Sequence, residues 1–461
     1  MENQPFYTVA VIGAGPAGLY AAQELVRNGV RVVLFNRDIK PGGLAEYGVY
    51  PEKLKLKVGF RAAFSQILDS VQIEYYGNVL VGRDGDLTLE EIRSMGFQAV
   101  LVTVGAQGTK WLGLQGESLK GVYHAKDVVY HYNKLPPFSQ RDYALGRRIV
   151  IVGVGNVMMD IARYSITILK ADQVTAVARR GPGEIKFDKA ELDAVSYNVD
   201  LDAMKVEINR LLPSIGGLSD NPEKPLSLIE AALPKAIKND SQTRFSFRFL
   251  LSPVRILGDE NDNVVGVEFE ENRLVKEGDD IKAVGTGHKT KLDADSVVFA
   301  IGDSVDEKLG LPVRSPEFVK NPEPRYPMDE NSYEVFDPVS GVPLQDVFLA
   351  GWARRASTGL VGITRRDGIN GARALLKYLE TLGEDKRTVS IDAIHDRLAQ
   401  TGKPVVTKPD LVCLQTVEKD MAAKLGAADF KFASHEEMLQ AIGHCRAGVR
   451  FDQPDLLGRL L

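Results

Sequence analysis

The chain has 461 residues, enough for two or three domains, and its 44% apolar and 26% charged residues are the proportions of a soluble globular enzyme. A net charge of −5 argues against nucleic acid as a partner, and no apolar run reaches the ~18 residues that a membrane span requires. The first strand is predicted to begin at Tyr7, which leaves no room for a signal peptide and makes the cytoplasm the expected compartment.

Tyr7–Ile12 reads as a buried parallel strand. The loop Gly13-Ala14-Gly15-Pro16-Ala17-Gly18 follows, then an amphipathic helix to Asn28 and a second strand over Val30–Phe35. This is the βαβ unit that cradles a dinucleotide. Gly13 permits the tight turn, Gly15 lets the backbone approach a pyrophosphate at the helix N-terminus, and Gly18 packs helix on strand. Where such a unit normally carries an acid for the ribose hydroxyls, Asn36 stands, and it is expected to bind them by its amide. The run Lys53-Leu54-Lys55-Leu56-Lys57 alternates as an extended segment would, with its charges on one face. Ala99–Ala106 is a further apolar strand ending in Gly-Ala.

A second unit of the same kind begins at Arg148–Val152. The turn Gly153-Val154-Gly155 follows, then a helix over Asn156–Leu169 and a strand over Val174–Ala178. Met158 takes the third glycine position, so helix and strand are expected to lie farther apart here. The last strand ends in Arg179-Arg180. An acid there would suit NAD; two guanidiniums suit the 2′-phosphate of NADP. Residues 200–240 form a helical excursion broken by Pro213, Gly216-Gly217 and Pro222. A hairpin turns at 259–262, Ser296–Gly302 repeats the apolar strand with a glycine end, and 313–326 reads as a proline-rich linker. A helix is predicted over 367–381, and 385–461 looks like a helical appendix.

Two cradles in one chain imply two nucleotides held face to face: a flavin, FAD, in the first and NADP(H) in the second. The two cysteines, Cys413 and Cys445, form no C-x-x-C pair and are too few for an iron–sulfur cluster, and the six histidines show no metal-ligand spacing. No metal is therefore expected, and electrons must leave from an organic cofactor to an outside acceptor.

Several blocks resemble the adrenodoxin reductase family, the ferredoxin–NADP reductases of the glutathione-reductase-like type. They are V-I-G-A-G-P-A-G (11–18), P-G-G-L-A-E-Y-G-V (41–49), G-N-V-L-V-G-R-D (77–84), G-V-G-N-V-M-M-D-I-A-R (153–163), R-R-G-P-G-E-I-K-F-D-K-A-E-L (179–192) and G-W-A-R-R-A-S-T-G-L-V-G (351–362), with a further similar stretch at 435–444. Gly351-Trp352 is the most specific pair, since many other flavoproteins have Gly-Asp there.

The resemblance implies a fold of class α/β, with two Rossmann-like dinucleotide-binding domains and a helical C-terminal appendix. The FAD domain is expected over 1–106 and 331–461 and the NADP domain over 107–330. It further implies that Ala17, Leu44, Val79 and Trp352 line FAD, and that Gly359, Leu360 and Val361 bring backbone against the flavin. Asn156 and Val157 would touch the NADP pyrophosphate, Arg179 and Arg180 the 2′-phosphate, and Glu191 the adenosine side.

The family places Asp-His after G-V-x-P; here Glu52-Lys53 follow Pro51. The family histidine pairs with the acid matching Asp160, so Lys53 and Asp160 are the candidate catalytic pair, with Lys53 acting by charge rather than as a proton donor.

The activity so implied is hydride transfer from NADPH to FAD across a domain cleft, then single electrons to a ferredoxin-like iron–sulfur protein or a flavodoxin. An acidic partner would dock on basic residues, for which Lys53, Lys55, Lys57, Arg61, Arg354-Arg355 and Arg365-Arg366 are candidates. The alternatives are an NADPH-oxidising subunit of a larger complex, like the small subunit of glutamate synthase, and a binding protein that keeps the fold without turnover. The glutamate-synthase type usually carries N-terminal cysteine clusters, which this chain lacks.

Overall fold

A computed structural model of the chain describes residues 7–448, apart from 186, 188, 216, 217, 219, 220, 279, 358, 384 and 386. Gly216-Gly217 and the end of the predicted appendix therefore lie outside the described residues. The chain divides into two compact units, the first made of described residues from 7–109, 132–140 and 302–448, the second of 110–131 and 141–301.

The chain starts in the first unit with β1 (Thr8–Ile12), α1 (Pro16–Arg27), β2 (Arg31–Asn36), α2 (Leu54–Leu68), β3 (Ile73–Gly77) and β4 (Ala99–Val102). Both faces of these strands are apolar because both are covered. Val9, Val11, Val32 and Leu34 enter one core, while Ala10, Ile12, Val33 and Phe35 point into another. α2 corrects the expectation of an extended Lys53–Lys57 segment. Lys57, Phe64, Ile67 and Leu68 are its buried side chains, at helical spacing. On a helix, residues two apart do not share a face, so the three lysines do not form one charged row.

In the second unit the chain forms β5 (Val122–His124), β6 (Arg148–Val152), α3 (Asn156–Thr167) and β7 (Gln173–Val177). The helices α4 (Leu201–Ile215) and α5 (Lys224–Ala232) make the excursion, and β8 (Arg244–Arg248) follows. β9 (Leu251–Gly258), β10 (Val264–Glu277) and β11 (Asp280–Asp293) form an antiparallel sheet before β12 (Ser296–Phe299). The main sheet is parallel in the order β5-β12-β6-β7-β8. The turn between β9 and β10 is held by the Asp259 carboxylate, which accepts from the backbone N–H groups of Asn261 and Asn263.

The chain then returns to the first unit. The predicted linker contains a small hairpin, Val313–Arg314 against Glu317–Phe318. β13 (Glu334–Asp337) and β14 (Val342–Leu349) complete the first sheet, in the order β13-β14-β4-β1-β2-β3. All its pairs are parallel except β13 with β14.

α6 (Val361–Glu380) starts earlier than the predicted helix and packs closely on α1. A Cβ on Gly368 would lie 2.3 Å from the Ala17 carbonyl oxygen, and one on Gly351 would lie 2.6 Å from Ala17 Cβ. Only glycine allows that approach.

The last helices are α7 (Ile391–Ala399), α8 (Lys408–Lys424) and α9 (His435–Arg446). They are the expected helical C-terminal region, and they contribute to the core. Ile394 and Leu398 join the Ile12–Phe35 side of the sheet, while Leu411, Leu414, Met438 and Ile442 join the Val9–Leu34 side. Cys413 and Cys445 form a disulfide between α8 and α9, with a Cα–Cα distance of 6.2 Å.

Candidate functional site

The first cradle lies at the carboxyl end of β1. Gly13 has φ +106°, and a Cβ there would lie 2.7 Å from the Thr103 carbonyl oxygen. A Cβ on Gly18 would lie 2.0 Å from the Gly13 carbonyl oxygen, so the turn and the helix demand both glycines. At Gly15 a Cβ would meet nothing within 4 Å. The open space therefore faces the N-terminus of α1, where the N–H groups of Ala17 and Gly18 precede the first intrahelical donor, the Leu19 N–H, which bonds the Gly15 carbonyl. That is the space and the partial charge a pyrophosphate needs. The loop carrying Leu44 crosses here, with the Gly42 N–H donating to the Ala14 carbonyl at 2.7 Å.

Asn36 is held by backbone on both sides of its amide. Its Oδ1 accepts from the Ala14 N–H at 2.9 Å, and its Nδ2 donates to the carbonyls of Asp38 (2.8 Å) and Lys40 (3.1 Å). The amide fastens the glycine loop to the following one. Val79 is 1% exposed and packs in the core on the Ile12–Phe35 side of the sheet.

The Gly351-Trp352 block is fixed from α6. Asp367 accepts from the Gly351 N–H at 2.6 Å and from the Tyr333 hydroxyl at 3.1 Å, and it pairs with Arg354, whose guanidinium lies 4.4 Å from the Tyr333 ring centroid. Trp352 is half-buried. Gly359 takes φ +82°, and Leu360, the cap of α6, is 64% exposed beside Val361. An apolar side chain left open at a helix start is what an aromatic ring system would cover.

The second cradle repeats the first at the end of β6. Gly153 has φ +124°, and a Cβ there would lie 2.2 Å from the Ala300 carbonyl oxygen, whereas a Cβ on Gly155 would meet nothing within 4 Å. Asn156 and Val157 open α3, with Val157 42% exposed. Met158 is fully buried. The backbone of the Arg179-Arg180 pair is pinned, since Asn272 Nδ2 donates to the Arg179 carbonyl and the Leu250 N–H to that of Arg180. Both side chains are exposed. Arg180 Nη1 donates to Glu184 Oε2 at 2.7 Å. Glu191 is half-buried in the short helix Lys189–Leu192. Lys53 caps the start of α2 in the first unit, and Asp160 lies in α3 of the second.

Three of the candidate docking cations are committed to the interior. Arg354 is 5% exposed, Lys57 is 2% exposed with Nζ 2.7 Å from Asn133 Oδ1, and Arg61 is bidentate to Glu46 and bonded to Asp429.

Arg61 belongs to a buried charge cluster that sequence reasoning misses. Glu46 Oε1 lies 2.8 Å from Lys431 Nζ and 3.6 Å from Lys40 Nζ, and Lys40 also bonds Glu418 at 2.6 Å. Burial alone would raise the Glu46 pKa; the charges of Lys40, Lys431 and Arg61 override it and hold the carboxyl well below its usual range. The cluster ties the Leu44 loop to α2, to α8 and to the segment before α9.

Burial, with Lys431 nearby, lowers the Lys57 pKa to about 7. The unfolded chain therefore binds one more proton than the folded one between about pH 7 and the ordinary lysine value of 10.5, so this residue makes stability rise with pH across that window. Lys57→Met is expected to raise the melting temperature near pH 7 and to flatten that rise. Melting curves of the variant that climb with pH as steeply as the wild type would exclude a neutralised lysine.

The pyridine nucleotide-disulphide oxidoreductase profile matches residues 7–195, which contain both cradles. Within that class the chain is 30% identical over 406 residues to the mitochondrial NADPH:adrenodoxin oxidoreductase of Salvelinus fontinalis, covering 80% of this chain and 77% of that one. It is 27% identical over 483 residues to NADPH-ferredoxin reductase FprA of Mycobacterium tuberculosis, covering 95% and 99%. A solved structure of M. tuberculosis FprA in complex with NADPH shares the fold, with a TM-score of 0.77 at 24% identity over 95% of this chain and 99% of that one. The chain belongs to the adrenodoxin reductase family.

Proposed function

We propose that the chain is an FAD-dependent NADPH:ferredoxin oxidoreductase. The carrying observation is that each unit holds a glycine cradle open at a helix N-terminus, and that the strand after the second ends in Arg179-Arg180. FAD supplies the conversion that lets a nicotinamide, which gives electrons in pairs, serve an iron–sulfur protein, which takes them singly. The chain's own residues bind and orient. The α1 N-terminus holds the FAD pyrophosphate, Leu360 and Val361 cover the ring system, and Trp352 and Leu44 flank it. Asn156 and Val157 meet the NADPH pyrophosphate, Arg179 and Arg180 its 2′-phosphate, and Glu191 its adenosine side.

Support comes from relatives whose names specify NADPH with adrenodoxin or ferredoxin. Those names favour a stand-alone reductase over a subunit of a larger synthase. No helix among the described residues is long and apolar enough to cross a membrane, in keeping with a reductase working in the cytoplasm.

Stopped-flow mixing tests the reading. The purified yellow protein is expected to bleach much faster with NADPH than with NADH, and to be reoxidised by an acidic ferredoxin, with a flavodoxin as a second acceptor. A colourless protein, or one indifferent to the 2′-phosphate, overturns it.

Lys53 acts by its charge. Lys53→Ala is expected to slow NADPH-dependent turnover without altering the shape of its pH profile, and unchanged turnover would discard the role.

A further inference from the structure

Two of the docking candidates not taken into the interior, Arg365 and Arg366, lie on α6. Along α6, Arg365, Arg366, Ile369 and Arg373 recur at helical spacing on the side away from Gly368 and Leu375, which face the core. Lys377 continues the stripe one turn on. Arg365, Arg366, Ile369 and Arg373 wall a cavity of about 430 Å³ whose far side is Met328 and Asp329 of the turn Met328–Asn331.

That turn is unusual. Asp329 and Glu330 take φ +47° and +62° although neither is glycine, a conformation costing on the order of 1 kcal/mol or more per residue. It is held from α6, because the Asp329 carboxylate accepts from Arg366 and from Asn370 Nδ2, both at 3.1 Å. The Arg365 guanidinium lies over the Tyr20 ring, 4.5 Å from its centroid.

The charges do not cancel. Arg366 meets Asp329, and Arg373 meets Glu24 at 2.7 Å, yet their side chains remain 78% and 52% exposed; Arg365 and Lys377 are exposed as well. With Arg366 paired to Asp329 and Arg373 to Glu24, Arg365 and Lys377 still leave this helix face with an excess of positive charge, in a chain whose net charge is −5. Because the cations stand in solvent around an open hollow, the fitting occupant is a protein surface carrying carboxylates rather than a small enclosed anion. The position suits electron transfer. At 1.5 Å per residue, Arg366 lies only about 7 Å along α6 from Val361, at the turn assigned to the flavin.

We propose that the outward face of α6, with the hollow beside the 328–331 turn, is the landing surface for the acidic face of the iron–sulfur electron acceptor. This rests on the reductase reading above, and the test separates the two.

The experiment compares wild type with Arg366→Glu/Arg373→Glu, using NADPH and either ferricyanide or a strongly acidic [2Fe–2S] ferredoxin as acceptor. Ferricyanide reduction is expected to stay within about twofold of wild type. The KM for the ferredoxin should rise at least ~10-fold and lose much of its dependence on ionic strength. Arg366→Gln/Arg373→Gln should show a smaller rise in the same direction, which guards against misfolding of the reversed variant. Lys55→Glu, an exposed cation on α2, should move the ferredoxin KM far less.

If the wild type reduces the ferredoxin and both arginine variants match it in KM and salt dependence, the landing surface is wrong and the reductase reading stands. If the wild type reduces ferricyanide but not the ferredoxin, both fall.

Discussion

Replacing Arg179 and Arg180 together by alanine is expected to remove the preference for NADPH over NADH. A charge-assisted hydrogen bond contributes about 1.5–3 kcal/mol, so losing two guanidiniums should lower kcat/KM for NADPH by at least ~100-fold. Activity with NADH, which has no 2′-phosphate to bind, should change little. The backbone of the pair is held by Asn272 and Leu250 independently of the arginine side chains, so the strand end should keep its shape in the variant.

Glu184 gives the converse test. Its carboxylate bonds Arg180 and competes with a phosphate for the same donor. Glu184→Gln should therefore tighten binding of 2′,5′-ADP while leaving that of AMP unaffected. A double-alanine variant that retains its NADPH selectivity would move the 2′-phosphate elsewhere.

The second large effect is expected at Glu46. This carboxylate faces Lys40, Arg61 and Lys431, and Glu46→Gln leaves buried cations short of a counter-charge. Breaking a buried ion pair in this way costs about 3–5 kcal/mol. Urea unfolding should show the loss directly, and because the Leu44 loop follows Lys40, weaker FAD retention should accompany it. The pH dependence has a definite sign. The Glu46 carboxyl is held below its ordinary value of 4.5, so its stabilisation is complete above that pH and is lost as pH falls toward the folded-state value. The variant should lack that component of acid unfolding. Adding Lys431→Met to Glu46→Gln should recover part of the stability, since it removes one stranded cation; no recovery would mean that the cluster is not coupled as its geometry indicates.

The cradles were legible in the amino-acid order because their requirements are local. A glycine at 13 or 153 is fixed by the turn and by the neighbouring strand end, and the spacing to the helix follows. Arg179-Arg180 is legible for the same reason, since its place relative to the loop is set by one βαβ unit. The anchoring of Asn36 was not. Its partners at Lys40 and Tyr75 depend on how the next loop folds back, and an amide that can bind ribose can equally bind backbone. The Lys53–Lys57 run misleads because alternation over five residues outweighs the helical spacing of Phe64, Ile67 and Leu68 only when the window is kept short. The charge cluster leaves no local trace at all, as Lys40 and Glu418 are 378 residues apart.

That separation bears on how the protein comes into being. The core around β1 needs Leu411, Leu414, Met438 and Ile442 from the end of the chain, whereas the intervening unit finds all of its strands between residues 122 and 299. On the ribosome the inserted unit can close while its host is still incomplete. The host completes the core on the Val9–Leu34 side of its sheet only after release of the final helices. Loading of the first nucleotide is then expected to wait for the end of synthesis, and a chain stalled short of α9 would leave part of the β1 core uncovered.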